Sequence, residues 1–409
     1  MKSTVLLLAI TTTVLAAPAQ VIRPSSGALP GLKPSELQAF LTGLDSFSEV
    51  DGVDEGLGPR FNLDGCSGCY THSFIGGTSP SINPQVQVAT KLGALNRIPA
   101  FIEPYGPVKV VRFQRQPNGQ PDGGVHNLFV ITGRADAPSA CRITQPDFSR
   151  FDNLAFRIPT PTFGLGLIEA IAERTSLSNL NADHERKRAL GIQGRFNTNP
   201  KDGTITRFGW KAQNTLGVFS VEAFNVEVGV TNDLFLHERE EDPTCNSTRS
   251  PESTSDLNAG SRSDMELFTL FMRFLAPPQP APSSETTRRG RRTFDQVGYA
   301  LCHTPASLQA IPQPSPSPGV TSNSFQTLRS TAWASISPSA SPRAKPNRKT
   351  SAPPRSEASS VINIYLALPE SQRQDILNFL RSLKAPSYLR LNTRLLSTGF
   401  PAASVPFEV

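Results

Sequence analysis

Apolar side chains recur at helical spacing in several stretches of the chain. In residues 34–47, Leu37, Phe40 and Leu44 follow the 3.6-residue period, behind a proline near the first turn. A stripe over residues 376–383 follows Pro369 in the same way. The spacing predicts helices over residues 34–47, 165–171, 210–226, 265–275 and 370–383.

Two short runs have the composition of strands instead. Residues 108–113 and 128–131 are rich in Val, Ile and Phe, and they flank a loop of Gly, Pro and Asn. This arrangement predicts a β-hairpin. The expected fold class is therefore mainly α, with long loops and a minor β-hairpin.

The composition adds one unusual segment to this picture. Between residues 304 and 356 there are six basic residues and no acidic one, and the remaining 34 basic residues balance the 34 acidic ones. The net charge of +6 is thus local to this window and gives no warrant for a nucleic-acid partner. Residues 306–360 are dominated by Ser, Pro and Arg without an apolar period, which predicts disorder.

The first residues and the cysteines indicate the compartment. Residues 1–19 combine Lys2, a short apolar run and small residues around Ala17 and Ala19, which is the pattern of a cleaved signal peptide. The run is too short to span a bilayer, so we expect a periplasmic or secreted protein that is not membrane-spanning. The five cysteines include Cys141 and Cys245, which could pair in an oxidising compartment.

Two places carry part of a c-type haem attachment site. Such a site needs two thiols that form thioethers to the haem and a histidine directly after the second one, placed to bind the iron. Cys66 and Cys69 have the correct spacing, but Tyr70 stands in the histidine position. In the second place Cys302 and the ligand His303 are present, while a tyrosine replaces the first cysteine. Each signal alone is weak, and their joint appearance favours two haem sites.

The sequence around these motifs resembles the bacterial di-haem oxidoreductase family. That family is related to di-haem cytochrome c peroxidases and is also labelled thiol oxidoreductase. The matching segments follow the order of the family and cover about residues 35–310 and 361–384. They are residues 56–62, 76–80, 83–85, 157–161, 163–171, 207–213, 229–232, 268–278, 302–305 and 368–383.

The resemblance implies two cytochrome c-like haem domains. The expected division is a signal peptide over 1–19, an N-terminal domain over 20–260, a C-terminal domain over 261–384 interrupted by residues 306–360, and a tail over 385–409. It implies one or two haem c groups, electron transfer, and either an electron-donor protein or a small oxidant such as peroxide as partner. The protein would then be a haem-dependent oxidoreductase.

The resemblance also implies roles for individual residues. Cys66, Cys69, Cys302 and His303 would hold haem, and His303 would bind iron. A tyrosine oxygen can bind ferric iron, so Tyr70 is a candidate ligand of the first haem. Glu169 is a candidate acid of the haem pocket, and Trp210 is a candidate electron relay.

Several alternatives stay open at this point. Both haem motifs are degenerate, and activity could be impaired. A haem-free protein could instead carry a Cys66–Cys69 disulfide or act in thiol–disulfide exchange, which requires a lowered thiol pKa. The window over residues 306–360 replaces a histidine-bearing segment that the family carries. The window is either a true linker or a segment translated in a shifted reading frame. In the second case, another reading frame of the gene should encode the missing histidine-bearing segment.

Overall fold

The computed structural model describes residues 27–72, 74–116, 118–209, 212–237, 242–245, 250–254, 262–278, 281–303 and 359–383. The predicted signal peptide, the predicted tail and residues 306–358 of the predicted disordered window lie outside these residues. The last two residues of that window, 359 and 360, instead begin a helix, Ser359–Leu366. The fold is predominantly helical with a small amount of strand, as the sequence predicts.

The α-helices and strands follow in chain order. The helices are α1 (Pro34–Ser48), α2 (Cys66–Cys69), α3 (Gln85–Val88), α4 (Leu165–Glu169), α5 (Glu173–Asn181), α6 (His184–Ala189), α7 (Leu216–Ala223), α8 (Asp264–Phe274), α9 (Glu285–Val297), α10 (Ser359–Leu366) and α11 (Glu370–Ser382). The strands are β1 (Arg60–Phe61), β2 (Val110–Arg115), β3 (Pro121–His126), β4 (Phe129–Val130) and β5 (Leu154–Arg157). A single π-helical turn, Phe224–Val228, continues α7.

The long helices begin where side chains satisfy their free backbone N–H groups. The Ser263 hydroxyl accepts the N–H of Glu266 at 3.4 Å, and the Glu266 carboxylate accepts the N–H of Ser263 at 3.2 Å, which forms a capping box at the start of α8. At α9 the Ser284 hydroxyl accepts the N–H of Thr287 at 3.1 Å. Thr215 caps α7 in the same manner.

The cap at Thr215 also shortens a predicted helix. The apolar spacing predicts a helix over 210–226, but α7 begins only at Leu216. Before it, Phe208 and Asn214 pair as an isolated antiparallel β-bridge. The helical spacing of apolar residues therefore begins before Leu216, where the described backbone is not helical.

The predicted hairpin exists with a different second strand. Strand β2 pairs antiparallel with β3 and with β5, in the order β3-β2-β5. The predicted partner, residues 128–131, contributes β4, which pairs with β1. The hairpin prediction chose the wrong partner because β3 contains Pro, Asp and Gly, and an edge strand can form through its backbone without apolar side chains.

The larger core forms where α1 crosses α8. Gly43 of α1 lies so close to α8 that an added Cβ would collide with the carbonyl oxygen of Leu267 and lie 3.0 Å from the Cβ of Phe271. One turn further along α1, Phe47 packs against Phe271 with ring centroids 4.8 Å apart and against Phe268 at 6.0 Å. A glycine therefore allows the close crossing, and aromatic rings fill the space beside it.

A second, smaller core repeats this arrangement. Gly290 of α9 meets the carbonyl oxygen of Asp375 and, at 2.8 Å from an added Cβ, the Cβ of Phe379 in α11. Four residues after Gly290, Phe294 packs against Phe379 with centroids 5.9 Å apart. In both pairs a Gly and a Phe four residues apart face a carbonyl and a Phe that are also four residues apart. The chain thus contains the same helix crossing twice.

Helix α9 carries two arginines, Arg289 and Arg291, that contact α11. Arg289 forms an ion pair with Asp375, with Nε 2.8 Å from Oδ2, and so ties α9 to α11. Arg291 lies over the ring of Phe379, 5.7 Å from its centroid.

Helix α8 packs with the first core, and the predicted boundary at residue 261 would assign it to the C-terminal domain. Its buried residues include Met265, Phe268 and Phe271, and all three belong to the larger cluster. The division into two domains stays a prediction, and the helix pairs indicate that its boundary lies after α8.

Two further features concern the expected compartment. Cys141 and Cys245 form a disulfide across a separation of 104 residues, which confirms the pairing considered from sequence. Within the described ranges, no helix has the length and apolar character to cross a bilayer.

Candidate functional site

A cavity opens beside α2, between the first core and the segment that ends α7. Its empty volume is about 650 Å³, including its opening to solvent. Most of the lining is apolar and comes from α1, α7, the π-helical turn and α8. The apolar lining residues include Phe47, Leu63, Val110, Phe219, Phe224, Val228, Phe268 and Met272.

The two predicted thiols border this cavity. Cys66 and Cys69 begin and end the one-turn helix α2, so that they project to the same side. Both are half-buried, pack against the larger core and are not bonded to each other. The structure therefore brings together the pair that a c-type attachment would require.

The electrostatic surroundings of the thiols do not favour exchange chemistry. Burial raises the pKa of Cys66, and the carboxylates of Asp51 and Glu227 raise it further. Burial and Glu227 likewise raise the pKa of Cys69. Because the thiolate is the reactive form, these shifts oppose the thiol–disulfide exchange that the sequence left open.

Tyr70 borders the same cavity at the end of α2. Its ring makes an edge contact with Phe47, with centroids 6.2 Å apart. Burial and the charge of Glu227 raise the pKa of its phenol, and the guanidinium of Arg157 opposes them. Tyr70, the predicted iron ligand, therefore borders the same cavity as the two thiols.

Glu227 is an acidic group of the cavity that sequence reasoning missed. It lies on the π-helical turn, a conformation that is frequent at functional sites. Its Oε2 accepts a hydrogen bond from Asn62 Nδ2 at 2.8 Å, and its carbonyl accepts the Asn62 backbone N–H at 2.7 Å. The available signal was weak, because Glu227 is one of two acids, with Glu222, in a mostly apolar run over residues 216–228.

Asn62 is itself held in the interior, which fixes the carboxylate that it contacts. It is buried, its Oδ1 accepts the N–H of Leu128 at 3.2 Å, and its carbonyl accepts from Gln85 Nε2 at 3.4 Å. The segment leading to Cys66 and the π-helical turn are therefore joined by a hydrogen-bonded side chain with little freedom to move.

Other predicted residues lie elsewhere. Glu169 forms a two-point ion pair with Arg273, with Oε2 2.7 Å from Nε and Oε1 3.2 Å from Nη2. The described residues that border the cavity do not include Glu169, and its catalytic role stays a prediction. Trp210 lies outside the described residues.

The second predicted site follows α9 directly. Cys302 and His303 come after a turn of 3₁₀-helix, Tyr299–Leu301, and both are half-buried. The N–H of His303 donates to the carbonyl of Tyr299 at 2.8 Å, and the Tyr299 ring stacks on Phe294 with centroids 4.9 Å apart. The turn that leads to Cys302 therefore packs against the smaller core through Tyr299 and Ala300.

The donor set indicates a cofactor more than a bare metal ion. Among the described residues, no three His, Cys, Asp or Glu side chains are grouped as metal ligands. The first cavity offers two thiols, one phenol and an apolar lining, which suit a large flat organic group attached through sulfur. In their lining and thiol placement, the residues present fit a haem attached through sulfur.

The structure thus combines a mainly helical fold with two thiols beside an apolar cavity. The family described as "Di-haem oxidoreductase, putative peroxidase" matches residues 111–313, which confirms the resemblance found in the sequence motifs. Over these residues the chain is similar to the di-haem oxidoreductase family. The matched region includes Glu227, Cys302 and His303, whereas Cys66, Cys69 and Tyr70 precede it. No curated protein and no solved structure matches the chain.

Proposed function

We propose that the protein is a periplasmic or secreted c-type haem oxidoreductase that transfers electrons between a donor and a small oxidant such as peroxide. The observation that carries the proposal is the placement of Cys66, Cys69 and Tyr70 on one apolar cavity, in a chain whose residues 111–313 match the di-haem oxidoreductase family. The disulfide between Cys141 and Cys245 supports an oxidising compartment.

The first haem would be held by both thioethers. Cys66 and Cys69 supply the two sulfurs, and Tyr70 supplies an oxygen in place of the usual histidine nitrogen. The apolar rings of Phe219 and Phe224 restrict water on the cavity wall. When bound, haem supplies the redox chemistry, and the protein sets ligand, solvent access and charge around it.

Glu227 would handle protons for the oxidant. It is the carboxylate of the cavity, and the hydrogen bond from Asn62 keeps it in place. A group that both accepts and releases a proton within hydrogen-bonding reach of the oxidant lowers the barrier to its reduction.

The second haem would use an incomplete site. Cys302 offers one thioether and His303 offers the iron ligand. The repeated helix crossing supports two cytochrome c-like modules, because Gly43 and Phe47 before the first thiols match Gly290 and Phe294 before Cys302. With one cysteine missing here and the histidine missing at the first site, both motifs are degenerate and activity is impaired.

The test is to purify the full chain from a host that has haem-attachment machinery. A Soret absorption band and a haem stain that survives denaturing electrophoresis are expected. The variant with Cys66→Ala and Cys69→Ala should lose the haem of the first site, while Cys141→Ser with Cys245→Ser serves as the thiol control and should retain it. A chain without any haem would contradict the proposal.

A further inference from the structure

The acidic side chains of α9 and α11 are all engaged in ion pairs within this pair of helices. Their partners are three arginines, of which two lie on α9 and one on α11. The pairs are Glu285–Arg289, Asp375–Arg289, Asp295–Arg291 and Glu370–Arg373. No acid of either helix is therefore left to neutralise the other two arginines of α9, Arg288 and Arg292.

Arg288 and Arg292 lie together on the outer side of α9. They are four residues apart, so they share one face of the helix, and both are exposed. The face toward α11 is instead formed by buried residues such as Gly290 and Phe294. The exposed Gln296 continues the outer face by one more turn, which makes this stripe roughly 12 Å long at 1.5 Å per residue.

A third arginine meets the end of this stripe. Arg186 of α6 is exposed, and its Nη2 donates to the carbonyl oxygens of Asp295 at 2.9 Å and Gln296 at 2.7 Å. The last carbonyls of a helix carry partial negative charge. Because Arg186 binds them, the helix end does not offset the charge of Arg288 and Arg292. These three arginines are called the basic stripe below.

The basic stripe ends where the second predicted haem site begins. Gly298 follows α9 directly, and an added Cβ there would lie 3.0 Å from Leu190, one turn after Arg186 on the chain, and 3.7 Å from Val361 of α10. A single 3₁₀ turn then leads to Cys302 and His303. The sequence that follows, residues 304–356, is not part of the stripe, but it adds six basic residues and no acid.

Unpaired positive charge on an exposed face favours a partner of opposite charge. Complementary charges speed the association of two proteins and orient them as they meet. A stripe of this length matches one acidic patch on a folded protein, whereas a nucleic-acid site needs basic residues along a more extended surface. Outside residues 304–356 the chain has equal numbers of acidic and basic residues, which also argues against a general polyanion binder.

We infer that the basic stripe docks an electron-donor protein with an acidic surface, beside the turn that carries Cys302 and His303. The inference rests on the proposed function, which requires a donor. The sign of the charge and the place of docking come from Arg186, Arg288 and Arg292.

The test uses a plant-type ferredoxin as the probe, because it is an acidic one-electron donor with a potential near about −400 mV. Reduced ferredoxin is mixed without oxygen with the oxidised full chain carrying haem. Ferredoxin loses one electron and ferric haem gains it, and the rate is followed by absorption. Ionic strengths of about 0.01 M and about 1 M compare screening lengths of about 30 Å and about 3 Å. Binding of the same chain to immobilised ferredoxin measures docking without relying on electron transfer.

The variant Arg288→Gln with Arg292→Gln should slow reduction and weaken binding about tenfold at the lower ionic strength, and should match the original chain at the higher one. Arg288→Lys with Arg292→Lys keeps both charges and should behave as the original chain. Arg97→Gln with Arg115→Gln is the matched control. It removes the same charge from two exposed arginines outside α9 and should leave rate and binding unchanged.

The outcomes separate docking from the proposed function. Equal losses in the control and in the Arg288/Arg292 glutamine variant, or no loss in either, would overturn the inference, as would an original chain that does not bind ferredoxin. A chain without haem would remove the proposed function, and the binding assay then decides docking alone by the same criteria. If the glutamine variant does not fold, Arg292→Gln takes its place. Stronger binding to a DNA duplex than to ferredoxin, lost in the glutamine variant, would assign the stripe to nucleic acid and overturn the inference.

Discussion

Replacing Gly43 by alanine tests the helix crossing that builds one wall of the cavity. The added methyl group would collide with the Leu267 carbonyl and lie 3.0 Å from the Cβ of Phe271. Neither atom is at the flexible end of a side chain, so α8 would have to shift away from α1. Overpacking of this kind costs about 1–3 kcal/mol.

The same substitution has an opposing local effect. Alanine in the interior of a helix is about 0.5–1 kcal/mol more favourable than glycine. If α1 and α8 crossed less closely, Gly43→Ala would therefore stabilise the protein. Because α1 and α8 cross closely, we expect Gly43→Ala to lower the free energy of unfolding by about 1–2 kcal/mol net. The sign of the measured change therefore distinguishes a close crossing from a loose one.

Gly217→Ala is the matched control for this experiment. Gly217 lies in α7, and an added Cβ there has no atom within 4 Å. It should raise stability by about 0.5–1 kcal/mol. The assay is urea unfolding followed by far-ultraviolet circular dichroism on proteins of equal haem content. A gain in stability for Gly43→Ala similar to that of the control would refute the crossing.

Three other perturbations probe different parts of the molecule. Cys141→Ser with Cys245→Ser should lower the free energy of unfolding by about 2–5 kcal/mol, because a closed loop this long restricts the unfolded chain; an unchanged urea midpoint would contradict it. Burial and then neighbouring carboxylates, Glu49 foremost, raise the pKa of Asp51 to about 7. The folded state therefore keeps a proton that the unfolded chain releases, and stability should fall as the pH rises from about 4 to about 7. Asp51→Asn should flatten this fall in urea titrations, and an equally steep fall in the variant would count against the assignment. Glu227→Gln should reduce peroxide turnover about 100-fold or more at unchanged haem content, and equal turnover would remove its proton-handling role.

The helices that the sequence predicted well have both a regular apolar stripe and a defined start. Residues 34–47 and 265–275 appear as α1 and α8 within one residue at each end, and the stripe behind Pro369 appears as α11. In these segments local preference and core packing agree, so that the amino-acid pattern alone is sufficient.

Helix α9 was missed because its buried face is small. Its buried side includes Gly290, Thr293, Phe294 and Val297, and only two of these are large and apolar. The start at Ser284 could have been recognised from its cap. The need for glycine at position 290 follows only from the contact of α9 with α11, which the sequence does not show.

The chemistry of the cavity was predictable only where it is local in sequence. Cys66, Cys69 and Tyr70 form one motif, and the structure brings them to one cavity. Arg157 and Glu227 come from segments about 90 and 160 residues away, and their approach depends on the pairing of β2 with β5 and on the turn after α7. Tertiary contacts of this kind have no signature in a single sequence.

Peptide mapping of the purified protein tests the central claim most directly. After expression with haem-attachment machinery and protease digestion, mass spectrometry should find haem bound to the peptide that contains both Cys66 and Cys69, and a second haem through one bond to the peptide containing Cys302. Cys66 and Cys69 recovered as a disulfide, with every peptide free of haem, would contradict the account.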